Sequence, residues 1–242
     1  MYEHEGQAYA EATRYSLRAE QISELRALVD AKRDQLGPEG VRAHRVRYNP
    51  DNWAGLIPAA LTDHEMISRG DVFDLAKAGD LQGVFGASFL WGSGLRGYGP
   101  HRLRSIVDST NGRLSHLLAQ AASAAAHDVI DGYAMLYGGY EPKTRAAPNT
   151  APWTRIDNFG PAFFTKFLYF VTDRGLILDN VLARKVHSIS AMPHLVDSKG
   201  RSLQWSPYRY CVYLHWMELI AGQIQCTADE LEVTLFSPPG PA

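Results

Sequence analysis

The sequence predicts a mostly α-helical protein. Apolar residues recur at helical spacing in several long windows, strictly alternating strand patterns are scarce, and glycine–proline clusters close the windows off. Of 242 residues, 45% are hydrophobic and 21% charged, enough apolar material for a packed core and too much for wholesale disorder.

Residues 7–35 read as helix, with Leu17, Ile22, Leu25 and Leu28 at roughly helical spacing and Gly37-Pro38 ending the run. Residues 41–58 are short and mixed, and Pro50 and Pro58 limit any strand there. Two short helices are expected between Ser68 and Trp91, split near Gly79-Asp80. A glycine-rich turn, Gly92 to Pro100, precedes a helix over 101–108 and a longer Ala-rich one over 112–136. Residues 138–154 have the composition of a loop and suit a connection between two lobes of a single unit spanning 1–242. The last third reads as helix, turn, helix, with an aromatic helix near 206–224. Thr227-Ala228-Asp229-Glu230 then has the form of a capping box opening a final short helix.

Composition narrows the function classes. Two cysteines, Cys211 and Cys226, cannot build a disulfide framework or a four-cysteine zinc site. The acidic start Met1–Glu5 lacks the basic and apolar regions of a signal peptide. No apolar stretch reaches about 18 residues; the candidate around Ala121–Tyr137 is interrupted by His127, Asp128 and Asp131. A cytoplasmic protein with no membrane partner is the expectation. The net charge of −2 shows no basic footprint, yet Arg42, Arg45 and Arg47 cluster in one stretch and Arg96, Arg102 and Arg104 in another, neither containing an acid. Such clusters are either solvated surface or phosphate contacts.

Two letter-matches lack the context their chemistry needs. Gly92-Ser93-Gly94-Leu95-Arg96-Gly97 fits the dinucleotide pattern, but no βαβ series surrounds it and Asp108 comes too early for the ribose acid. Its glycines suit a tight turn, or close backbone approach to a phosphate or base. His64-Glu65 begins like a zinc-protease helix but lacks the second histidine, and the nine histidines show no ligand spacing, so no metal site is expected.

Ile156–Val181 is the segment that carries chemistry. Phe159-Gly160-Pro161 reads as a hairpin turn launching a helix, with Lys166 among Phe163, Phe164, Phe167, Leu168 and Phe170. In that apolar setting a lysine either snorkels to water or is desolvated into an amine nucleophile. Asp179 follows thirteen residues later, after Gly175 and Leu176-Ile177-Leu178, and directly before a helical run over Asn180–Ile189. An aspartate there caps the helix, and the helix terminus in turn keeps its carboxylate ionised.

The segment resembles the helix-hairpin-helix DNA glycosylases, especially the 8-oxoguanine DNA glycosylase group. Gly160, Thr165-Lys166 and Leu178-Asp179 match, in order, that group's hairpin glycine, its Thr-Lys and the aspartate delivered by an apolar turn. Phe89–Pro100 is similar to a region of bacterial members. The resemblance is specific over about 85–190; Asn158-Phe159-Gly160-Pro161-Ala162 replaces the usual Leu-Pro-Gly-Val-Gly hairpin. It implies a two-lobed helical fold with the hairpin and catalytic segment at about 150–190. It also implies double-stranded DNA bearing a modified base as partner, a bacterial-type, nucleoid-associated location, a monomer, and no cofactor beyond a monovalent cation at the hairpin.

Lys166 is then the nucleophile and Asp179 the carboxylate that steadies positive charge on the sugar and handles protons. Asn158, Phe159, Gly160, Thr165, Arg96, Arg102 and Arg104 are the expected DNA contacts, helped by backbone amides of the hairpin. Trp91, Tyr98, Phe170, Trp205, Tyr213 and Trp216 are candidates to line the pocket for a flipped base, although an aromatic stripe also serves as core. The expected substrate is oxidised guanine or glucosylated hydroxymethylcytosine of phage DNA, with Schiff-base strand nicking as a possible second activity. A non-catalytic hairpin module that only binds DNA would not need Lys166 and Asp179 together.

Overall fold

Residues 2–62, 65–95 and 97–237 are described by the computed structural model, so His64 and the expected contact Arg96 lie outside the described residues. The chain is mostly helical, as its periodicity predicts, with a single two-stranded ribbon among the described residues. The helix expected over 7–35 is two: α1 (Glu5–Ala12) and α2 (Ala19–Leu36). Between them the Tyr15 carbonyl turns inward and accepts the indole N–H of Trp216 at 2.8 Å. The mixed stretch supplies β1 (Arg45–Arg47), which pairs antiparallel with β2 (Met66–Ser68) through Val46 opposite Ile67.

Ser68 opens α3 (Arg69–Lys77) with a reciprocal cap to Asp71, and Asp80 opens α4 (Leu81–Ser93) by accepting the Gly83 amide. α5 (Tyr98–Ser109) follows the glycine turn. The Ala-rich run divides into α6 (Leu114–His127) and α7 (Val129–Tyr137), because Asp128 takes an extended conformation and caps α7 through the Ile130 amide. A sequence reading registers Asp128 only as a polar break in an apolar run, whereas it is the corner that lets α6 and α7 pack on each other.

Residues 138–160 are irregular apart from one short turn of 3-10 helix. They fold back on α7: Ala146 N–H donates to Gly138 O, Thr154 N–H to Met135 O, and the Arg145 side chain to Tyr137 O. The hairpin before α8 (Pro161–Val171) is therefore entered from this irregular segment, in line with the loop expected over 138–154. The chain closes with α9 (Asn180–Ser190), α10 (Pro207–Ile224) and α11 (Ala228–Phe236), the last opened by the expected capping box at Thr227 and Glu230.

α8 is apolar on nearly every face, and a helix of that kind has to be surrounded. It packs on α3, α4, α6 and α7, and seven consecutive side chains from Phe164 to Phe170 are buried. The buried hydrophobics form one contiguous cluster running from α1 to α11. A fully enclosed ion pair crosses it: Arg69 of α3 donates to Glu232 of α11 at 2.9 and 3.1 Å and to the Tyr169 hydroxyl of α8 at 2.9 Å. Burial raises the Glu232 carboxyl above its usual range, opposed by the adjoining Arg69 charge. Glu232→Gln strands a buried guanidinium and should cost about 3 kcal/mol of stability, read from urea unfolding.

Candidate active site

Gly160 stands at the N-cap of α8 with extended backbone, and Pro161 presets the first helical turn. Asn158 adopts a left-handed φ of 59° to make the preceding turn, and its side chain is exposed. Phe159 is turned inward against Phe85 and Phe164, so it anchors the hairpin to the core. A Cβ at Gly160 would meet open space, which leaves the hairpin backbone accessible from outside.

Lys166 does not snorkel. Its side chain is 2% exposed, and Nζ donates to Ala162 O at 2.8 Å and to Asp179 Oδ2 at 2.9 Å. The other carboxylate oxygen, Oδ1, accepts the amides of Val181 and Leu182 at 2.9 and 3.1 Å, capping α9. Asp179 thus caps α9 with one oxygen and pairs with Lys166 through the other. Burial alone would raise its pKa; the Lys166 charge and hydrogen bond, with the two amides, overcome burial and hold it below the usual carboxylate range.

Three hydroxyls set where Asp179 sits. Residues Gly175–Leu178 are buried and irregular, so their peptide groups need partners from outside a sheet or helix. Tyr210 OH accepts the Leu176 amide at 3.0 Å and donates to its carbonyl at 2.7 Å, and Tyr213 OH donates to Ile177 O at 2.7 Å. Thr165 Oγ1 accepts the Leu178 amide at 3.2 Å, its one proton shared between Pro161 O and Leu178 O. Thr165 is fully buried, so its place is in this strut and not on DNA as expected. Tyr213 likewise belongs to the strut and not to a pocket wall. Tyr210 was missed by sequence reasoning; a tyrosine in an aromatic helix carries no mark of where its hydroxyl goes.

The glycine turn contributes in a way the pattern itself did not indicate. A Cβ on Gly92 would lie 3.1 Å from both Lys166 Cε and the Phe163 ring, so the lysine stem runs across bare backbone. Gly94, at φ 53°, ends α4 in a conformation side chains avoid. Gly92→Ala should slow lysine-dependent chemistry about tenfold, because small displacements of a reacting group are expensive. Alanine favours a helix by up to about 1 kcal/mol over glycine, so the melting temperature should hold. A single-turnover rate beside a melting curve checks both.

The remaining candidates divide. Arg102 donates to Asn158 O at 2.8 Å and lies 4.7 Å over the Phe163 ring, bracing the hairpin next to Lys166. Arg104 is exposed on α5. Tyr98 is 69% exposed, hence a surface group and not an enclosed wall. Phe170 is buried against Phe73 and Tyr169. Trp205 and Trp216 are core residues whose indole N–H groups are taken by Leu195 O and Tyr15 O, so packing accounts for them fully. Trp91 is buried beside Gly92, in contact with His44, Arg69 and Phe236. Among the described residues, no three His, Cys, Asp or Glu side chains gather as metal ligands, and no helix is long and apolar enough to cross a membrane.

A family model described as "Putative 8-oxoguanine DNA glycosylase OGG-like protein" matches residues 39–236 of the chain. No curated protein and no solved structure matches it.

Proposed function

The chain belongs to the family of 8-oxoguanine DNA glycosylase OGG-like proteins, and from that premise we propose that it excises a modified base from duplex DNA with Lys166 as nucleophile and Asp179 as its electrostatic partner. The observation carrying the reading is the buried 2.9 Å pair between them. A buried charge pair is seldom a gain in stability over apolar packing, so its presence calls for another reason.

Breaking an N-glycosidic bond puts positive charge on the sugar ring. Asp179, kept ionised by Lys166 and two helix amides, is a fixed negative group where that charge develops. The Lys166 amine, freed of its proton, forms a bond to the sugar C1′ as the bond from C1′ to the base breaks, and the electron pair leaves with the base. The departing base is the better acceptor for the lysine proton, since a carboxylate with a lowered pKa accepts protons poorly. Ring opening of the resulting aminal yields a Schiff base, from which the strand can be nicked. The accessible backbone at Gly160 and the adjoining Arg102 form the phosphate-facing side, a grip needing little net positive charge.

Oxidised guanine is the substrate we favour. The test is base release, followed by mass spectrometry, from a duplex carrying 8-oxoguanine and from phage DNA carrying glucosylated hydroxymethylcytosine. Release from the first supports the reading, and release from the second alone moves the enzyme to antiviral excision. Binding to both without release makes the chain a non-catalytic DNA-binding module.

A further inference from the structure

We propose that Lys32 marks a second binding site, one that takes a small organic anion with a carboxylate or phosphate head on an apolar body. The site goes beyond the glycosylase reading and does not depend on it. Lys32 lies in the last turns of α2 and is 3% exposed, nearly as enclosed as Lys166. Lys166 has a carboxylate oxygen 2.9 Å away, whereas no acid among the described residues pairs with Lys32. Its Nζ donates to Gln35 Oε1 at 3.0 Å, which uses one of three N–H donors on a neutral partner. The acids of this region are taken: Glu230 accepts Arg33 through both oxygens, at 2.7 and 2.8 Å, and Glu232 accepts Arg69. Burial, then the charge of Arg69, hold the Lys32 ammonium below its usual range. A buried charge is costly unless an opposite one meets it, so this ammonium either gives up its proton or meets an anion from outside.

Space for that anion adjoins the lysine. Lys32 lines a cavity of about 310 Å³ between α2, the 3-10 turn Gly37–Ala43 and α11. Val29, Leu36, Pro38, Val41 and Val233 supply apolar walls, and Lys32, Arg33 and Glu230 the charged groups. Mostly apolar walls with a few placed polar groups are the usual make-up of a small-molecule site. At roughly 30 Å³ for each water-sized group, the cavity holds on the order of ten non-hydrogen atoms. Two cations against one carboxylate leave a positive excess, which selects an anion, and because Glu230 already engages Arg33 the head falls to Lys32. The reacting pair, the hairpin and the strut beneath Asp179 do not line this space: α11 turns Glu230, Val233 and Thr234 toward it and Glu232 toward Arg69.

Benzoate and phenyl phosphate are the probes and benzyl alcohol their neutral counterpart, each titrated calorimetrically into the full chain, with melting curves alongside. The wild type should bind at least one anion saturably, with a melting temperature that climbs with its concentration, and should not respond to benzyl alcohol. Binding of either anion supports the site, and the tighter one names the head. Lys32→Met keeps the stem and removes the charge, so it should bind at least about tenfold more weakly, as expected when a charge-assisted hydrogen bond goes. Without probe it should melt no lower than wild type, since it relieves a buried charge that has no counter-ion. Val41→Trp fills the cavity from its half-buried wall and should lose binding with Lys32 intact. Failure of both anions to bind overturns the site, as does benzyl alcohol binding equally well or anion binding that survives either variant. A Lys32→Met chain that melts below wild type also overturns it, because the ammonium would then be satisfied without a ligand.

Discussion

Lys166→Ala should abolish borohydride trapping and slow base release at least about a thousandfold, a loss of roughly 4 kcal/mol of transition-state stabilisation. The size follows from its position: one amine, enclosed to 2% exposure, held by one carboxylate and one carbonyl. Lys166→Gln is the companion variant, since a neutral amide of similar length can keep the bond to Ala162 O. Equal loss in both, with folded spectra and intact DNA binding, assigns the effect to the amine. Base release that survives both variants would mean that water, not lysine, attacks the sugar.

Asp179→Asn should lower the single-turnover rate about a hundredfold or more while DNA affinity changes little. The amide retains an oxygen for the α9 amides but offers no negative charge to Lys166 or to the sugar. Protonation should act in the same direction. Because the folded pKa of Asp179 lies below its unfolded value, its contribution to stability is present above about pH 4 and lost as pH falls through the folded value. Melting curves of wild type and Asp179→Asn should therefore differ at neutral pH and draw together in acid. Affinity lost in parallel with turnover would instead mean that the Asp179 charge serves DNA binding and has no separate part in the chemical step.

The sequence revealed the Lys166–Asp179 pair because both lie in one short segment with few alternatives: a hairpin glycine, a helix too apolar to be a surface element, and an aspartate at a helix start. The helical class was legible for the same kind of reason, since the spacing of apolar residues is a local property. The residues around the pair were harder to place. Thr165 adjoins Lys166 in the chain, but neighbouring helix positions face different directions, and its hydroxyl turns to Leu178 and not to solvent. Trp205, Tyr213 and Trp216 have the composition of a pocket wall, yet each spends its polar atom on a distant carbonyl that only the folded chain brings near.

The strut beneath Asp179 also fixes a length. Each peptide group from Leu176 to Leu178 is matched to one hydroxyl, so the segment has no register other than the one it occupies. One inserted residue would advance Asp179 by about 3.3 Å and turn its side chain to the opposite side of the strand-like run. The irregular connection over 138–157, ahead of the hairpin, has no such matching to the Lys166–Asp179 pair and can vary in length at far lower cost. Among relatives that keep this chemistry, the distance in sequence from lysine to aspartate should hold constant while the approach to the hairpin grows and shrinks.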